Sequence, residues 1–258
     1  MANARNAKSA REKAAQMRAE AERVAARKRA IVAGLAVVVV IVLAVGLTVL
    51  FRSLQAQQKA REAAAVAPPA NVHNGVSTVG GGLLVGTPDA KVTVDIYEDF
   101  ICPICKEFEE ADGPILKKYA DAGQIKIVYH PVAILDRASV GTRYSTRAAN
   151  AVAAVLNSSP SAAITFHSLL FENQPPENGP GLPDDTLLAL AEKAGANRAA
   201  IQDDIAKLRY EGWITSTTEK FTKDFPPGGT PTIAIDGKPH KDLAPDKLTA
   251  AIEAAIKK

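Results

Sequence analysis

Cysteine is nearly absent from this chain: 258 residues hold two, with one Trp, two Met and four His. Two cysteines exclude a disulfide-stapled scaffold. A second CxxC and a close His pair are also missing. His73, His130, His167 and His240 are scattered, so a structural zinc site lacks its ligands and no metal is expected. Large net charge is lacking too. The formal +3 arises from residues 1–30, which carry +6: nine Lys/Arg (Arg5, Lys8, Arg11, Lys13, Arg18, Arg23, Arg27, Lys28, Arg29) face three Glu. The remainder carries 22 Lys/Arg against 25 Asp/Glu, a balance of −3. A basic tail beside anionic lipid accounts for the excess without a nucleic-acid partner. That Ala-, Arg- and Glu-rich tail reads as a solvated helix, with a specific cytoplasmic partner as the alternative. There is no internal repeat.

What is present begins with an uncharged run of 21 residues, Ile31–Phe51. At 1.5 Å per residue it spans about 30 Å, enough for one transmembrane helix. Only Arg52, Lys59 and Arg61 follow closely, so the positive-inside bias puts the N-terminus in the cytoplasm and the rest outside. A cleaved signal peptide would have a shorter apolar core. Ala65-Val66-Ala67 has a cleavage-site shape but lies far downstream, directly before Pro68. The expectation is a single-pass cell-membrane protein with an extracytoplasmic domain.

Residues 52–82 read as a linker, broken by Pro68-Pro69 and Gly80-Gly81-Gly82. Residues 83–258 are enough for one domain with a real core. Lys91–Tyr97 is β-branched and predicts a strand. A helix follows from Pro103, with apolar positions at Cys105, Phe108, Ile115 and Tyr119, and Gly113-Pro114 breaks or kinks it. Ile125–Tyr129 predicts a second strand. Thr142–Leu156, Ser161–Phe171, Asp184–Lys193, Arg198–Leu208 and Trp213–Phe225 have helical spacing. Thr232–Asp236 returns to strand, Gly237 turns, and Pro245–Lys257 is an amphipathic closing helix. His130 and His167, in apolar segments, read as structural histidines. Trp213 with Tyr210 and Phe221 reads as core rather than as a peptide groove.

Both cysteines sit in Cys102-Pro103-Ile104-Cys105, at the junction of strand and helix. A disulfide there closes so small a loop that it removes almost no entropy from the unfolded chain. Redox chemistry is the better reading. Pro103 suits the first helical position, which makes Cys102 the N-cap. Backbone N–H groups and the helix dipole then favour a thiolate, so Cys102 is the expected nucleophile. Cys105, one turn inside, is expected to be more buried and to resolve the mixed disulfide. That cycle needs no cofactor.

Asp99-Phe100-Ile101-Cys102-Pro103-Ile104-Cys105-Lys106, after the strand VTVDIY, resembles the active-site segment of DsbA-like thiol–disulfide oxidoreductases of the thioredoxin superfamily. Gly229-Thr230-Pro231-Thr232, before IAID, is similar to that superfamily's cis-proline loop. The resemblance implies an α/β thioredoxin-like fold with an inserted helical domain at about 138–226, here preceded by one transmembrane helix. It makes Cys102 and Cys105 the redox-active pair, places Pro103 and Ile104 at the start of the active-site helix, and makes Pro231 cis and facing the pair. Thr230 would offer its backbone to a substrate strand. Two positions depart from the pattern. Ile104 stands where such oxidants commonly carry His, and Ile96 where many relatives carry a buried proton-accepting acid. Alternation points Asp95 to the opposite face, leaving Glu98 and Asp99 as substitutes.

The resemblance implies an extracytoplasmic enzyme that introduces disulfides into exported, reduced polypeptides. A membrane quinone-linked reoxidant of the DsbB or VKOR type would renew it, and monomer is the default state. An extracytoplasmic reductase, for example in cytochrome c maturation, is the alternative that Ile104 keeps open. A disulfide isomerase would add a dimerisation domain that the linker is too short to form. A non-catalytic, surface-anchored thioredoxin-fold binding module is the alternative from another class.

Overall fold

The computed structural model of the protein describes residues 46–48, 51–52, 67–72 and 81–258. The chain divides into two units, Met1–Ala60 and Arg61–Lys258. In the first, residues 46–48 and 51–52 are helical. The basic tail, the rest of the apolar run and most of the linker lie outside the described residues. Among those described, no helix is long and apolar enough to cross a membrane.

The second unit is built on one five-stranded sheet: β1 (Leu83–Gly86), β2 (Val92–Glu98), β3 (Ile125–Pro131), β4 (Thr232–Ile235) and β5 (Lys238–His240). Their order is β1-β3-β2-β4-β5. β2 and β3 are parallel, from Val92 opposite Ile125 to Glu98 opposite Pro131. The other three pairings are antiparallel. Every residue of β2 is buried, as a central strand covered on both faces requires.

Helices α1 (Pro103–Ala111) and α2 (Gly113–Asp121) carry the chain from β2 to β3. Between β3 and β4 come α3 (Tyr144–Ser158), α4 (Ala163–Glu172), α5 (Asp184–Lys193), α6 (Arg198–Ala206) and α7 (Glu211–Asp224). Helix α8 (Pro245–Ile256) closes the chain. The middle of the block is α3, buried from Tyr144 to Leu156 apart from Arg147. Its alanines leave room for neighbouring helices to approach closely. Buried Asn150 ties that packing together by accepting from Tyr210 N at 2.8 Å and donating to the Asp204 carbonyl at 3.1 Å. Trp213, Tyr210 and Phe221 are all core residues.

The expected strand-helix order holds, with three corrections. The edge strands β1 and β5 were not expected. Gly82 is not a linker breaker: it is buried against β3, where any Cβ would strike the Tyr129 carbonyl. In α2 the core positions are Leu116 and Ala120, not the expected Ile115 and Tyr119. The break at Asp112 restarts the helix and shifts its buried face by one residue.

The two faces of β2 diverge as alternation demands. Val94 and Ile96 point into the main core. Tyr97 joins Val132 and Phe221 in a second cluster, its ring stacked 4.5 Å from His130 and 5.0 Å from Phe221. Asp95 lies on that second face, 2.8 Å from His130 Nε2, while His130 Nδ1 contacts the Gly81 carbonyl at 3.1 Å.

Candidate active site

The end of β2 and the start of α1 deliver the cysteines to one point. Cys102 is the N-cap of α1 in extended conformation, with Pro103 following. Both cysteines are free thiols; Cys102 is 6% exposed and Cys105 fully buried. The Cys102 thiol donates to the Thr230 carbonyl at 3.3 Å. The Thr230–Pro231 peptide is cis. The fold therefore brings together Cys102, Cys105, Thr230 and Pro231 from segments 128 residues apart. Ile104 sits at the surface, 49% exposed, and its side chain offers no donor to the sulfurs.

The two thiols are driven in opposite directions. Cys102 falls from 9.0 to about 6. The largest cause is the hydrogen bond from the Cys105 thiol; burial opposes it, and Thr230 and the Cys105 and Ile104 amides add to the lowering. The helix terminus is thus a secondary contributor, and the Cys102 side chain makes no capping hydrogen bond. The Thr230 hydroxyl is buried without another partner, so it can donate to a thiolate. Cys105 is pushed well above an ordinary thiol, first by burial, then by its bond to Cys102 and the charge of Glu98. One cysteine is a nucleophile at neutral pH, and the other holds its proton.

Of the three acids near the motif, Glu98 faces the cysteines. Asp95 is spent on His130. Asp99 braces the loop, accepting from Ile101 N at 3.2 Å and Leu135 N at 2.9 Å, with burial pushing it up to about 7. Burial raises Glu98 well above the usual carboxylate range, and the charge of Cys102 adds to this.

Three participants were not picked out as site residues from the sequence. Gln174, just past α4, donates to the Phe100 carbonyl at 3.1 Å and the Cys102 carbonyl at 2.9 Å, fixing the loop before α1. His167, expected to be structural, is buried with Nε2 2.9 Å from Glu98 Oε2. Glu109 lies one turn beyond Cys105 on α1, beside Glu98, with burial and the Glu98 charge pushing it up to about 8. Donor atoms of Glu98, Glu109 and His167 lie within 4.8 Å of one another. Of the three, His167 Nε2 and Glu98 Oε2 are hydrogen-bonded, while Glu98 Oε1, Glu109 Oε1 and His167 Nδ1 are buried without a hydrogen-bond partner. Beside the cis-proline loop a cavity of about 580 Å³ is lined by Phe225, Gly229, Thr230, Pro231 and His240, among others. Thr230, whose carbonyl accepts from the Cys102 thiol, lines it.

Comparison with known proteins agrees with this geometry. A family profile described as Thioredoxin (Thioredoxin_4) matches residues 78–254. The reduced crystal structure of DsbA from Mycobacterium tuberculosis is 32% identical, covering 70% of this chain and 91% of that one, with a TM-score of 0.57. Reduced DsbG from the same organism, a disulfide bond oxidoreductase, is 32% identical over 77% of this chain and 93% of that one, with a TM-score of 0.58. The serine/threonine-protein kinase PknE of M. tuberculosis is 35% identical over 124 residues, 46% of this chain. The chain spans only 22% of that kinase's length.

Proposed function

We propose a direction and a place for the chemistry of this chain, which belongs to the thioredoxin family, in its DsbA-like branch, and is a thiol–disulfide oxidoreductase. It donates a Cys102–Cys105 disulfide to reduced polypeptides outside the membrane that anchors it. The observation that carries this reading is the opposed pair of thiols beside a cis-proline loop: Cys102 lowered to about 6 and Cys105 raised.

In the oxidised protein, a substrate thiolate attacks Cys102 Sγ. The Cys102–Cys105 bond breaks, and its electron pair leaves on Cys105, which takes up a proton. A second substrate thiolate then attacks the substrate sulfur of the mixed disulfide, and Cys102 leaves as a thiolate. The substrate has lost two electrons to form a disulfide, and the protein has gained them. A low-pKa sulfur is the better leaving group, which favours this direction. Thr230 and Pro231 shape the substrate site, with the Thr230 carbonyl available to a peptide backbone. Glu98 fills the place of the buried acid that Ile96 cannot supply.

The uncharged run at 31–51 behind a basic tail supports the anchor, with residues 52–82 as its tether. A membrane reoxidant of the DsbB or VKOR type would restore the disulfide. The reductase reading rests on Ile104, whose side chain provides no hydrogen bond to hold the thiolate.

Oxidised full-length protein should transfer one disulfide per molecule to a reduced, unfolded model polypeptide, and Cys102→Ser should abolish the transfer. A wild-type protein that transfers nothing, and binds the polypeptide no better than Cys102→Ser does, is a binding module, and the enzyme reading fails. In intact cells treated first with a reductant, a membrane-impermeant maleimide should label Cys102. Labelling only after lysis would overturn the topology.

A further inference from the structure

The two-cysteine exchange leaves most of one buried cluster without a task. The histidines are scattered along the chain, yet folding sets one of them beside two carboxyls: Glu98 ends β2, Glu109 lies on α1 and His167 on α4. His167 Nε2 and Glu98 Oε2 stand 2.9 Å apart. Two ligand atoms of one tetrahedral zinc, each about 2.0–2.1 Å from the ion, stand about 3.3 Å apart, so this pair is already near ligand spacing. Donor atoms of all three residues lie within 4.8 Å of one another. Glu109 then has to close in by about 1.5 Å at most, and as the only partly buried member it has room to do so. Each carboxyl also holds an oxygen, Glu98 Oε1 and Glu109 Oε1, that is buried with no hydrogen-bond partner. Among the described residues no Lys or Arg pairs with either carboxyl. Lys106 of α1 is engaged by Glu110 and the Phe171 carbonyl, and Lys117 of α2 by Asp121. Buried carboxylates without a cationic side chain call for a proton or a metal ion. The His167 ring is held in place by Phe100, Tyr129 and Phe171, at centroid distances of 5.6, 4.5 and 5.2 Å. Those rings make a dry wall on one side. On the other, Glu109 and Tyr129 line a cavity of about 420 Å³ that gives an ion an approach.

We propose that Glu98, Glu109 and His167 form a three-ligand site for a divalent first-row transition cation, with Zn²⁺ as the probe that fits it. One imidazole and two carboxylates select that class of ion. Ca²⁺ and Mg²⁺ prefer shells of oxygen alone, and ions that seek thiolate find no sulfur in this set. Three protein ligands leave a fourth position for water. The ligands come from β2 and α1 of the sheet-bearing core and from α4 of the helical block between β3 and β4. A bound ion therefore fastens that block to the active-site helix, one turn behind Cys105. Both cysteines are reserved for exchange, so a metal supplies a cross-link that a disulfide here cannot. The inference does not depend on the direction of the exchange.

The sample for the test is the oxidised full-length protein, whose Cys102–Cys105 disulfide removes the thiolates that would otherwise take zinc. Titrated with ZnCl₂ against a chromophoric zinc chelator, it should bind one Zn²⁺ per molecule. Glu109→Gln and His167→Gln should each weaken that binding at least about tenfold, the lower end of what losing even an indirect hydrogen-bond partner costs a metal site. Failure of the wild type to bind one equivalent overturns the site. Binding of undiminished strength in either variant does the same, because the zinc then sits elsewhere. X-ray absorption at the zinc edge of the loaded wild type reads the ligands without any substitution, so the site stays testable even if neither variant folds. One imidazole among oxygen ligands is expected. A sulfur ligand, two or more imidazoles, or none would overturn the assignment.

Discussion

Replacing Cys105 with alanine should return Cys102 a large part of the way to an ordinary thiol. The bond from the Cys105 thiol is the largest cause of the fall from 9.0 to about 6, ahead of Thr230 and the Cys105 and Ile104 amides. At a pKa of about 6, roughly 90% of Cys102 is thiolate at pH 7, against about 3% for an ordinary thiol. If half the lowering is lost, the pKa rises to about 7.5 and about 25% remains thiolate. Alkylation of Cys102 by iodoacetamide at pH 7 should then slow by about fourfold. Cys105→Ser keeps an O–H donor in the same place and should leave Cys102 near its native value. Thiolate ultraviolet absorbance followed across pH gives the pKa directly. A Cys105→Ala protein that still titrates near 6 would refute the reasoning and assign the thiolate to the helix terminus.

The surrounding network makes further predictions. Asp99→Ala strands the buried amides of Ile101 and Leu135 and should cost about 2–4 kcal/mol in urea unfolding, with a looser Cys102 loop. Asn150→Ala leaves Tyr210 N unpaired, while the Asp204 carbonyl keeps its bond from Arg209 N, and should cost about 1–3 kcal/mol without altering Cys102 titration. Glu109 has a folded pKa of about 8, above its unfolded value, so its contribution to stability is fully present at low pH and lost as pH rises through about 8. The urea midpoint of Glu109→Gln should therefore gain on the wild type between pH 4.5 and 8 and run parallel above; a constant difference across that range would contradict this.

The central parts of the fold were legible because their residues repeat a pattern. VTVDIY and IKIVY are β-branched and became the paired strands β2 and β3; five helical spacings became α3–α7. The edge strands had no such signal. LLVG and KPH are four and three residues long, too short to show a period, and tertiary pairing makes them strands. The cysteine pair and the Thr230–Pro231 loop were readable as motifs. The carboxyl network was not, since it depends on where β2, α1 and α4 meet. Two local cues existed: Glu98 shares the inward phase of Val94 and Ile96, and Glu109 follows Cys105 by one helical turn. His167 had none, because its partner lies 69 residues away.

The most direct test of the account is the redox equilibrium of the Cys102–Cys105 pair in the full-length protein against glutathione. Disulfide donation predicts a reduction potential of about −120 to −180 mV, the range of known oxidants and isomerases. A value near about −270 mV, that of thioredoxin, would contradict it and make the protein a reductant.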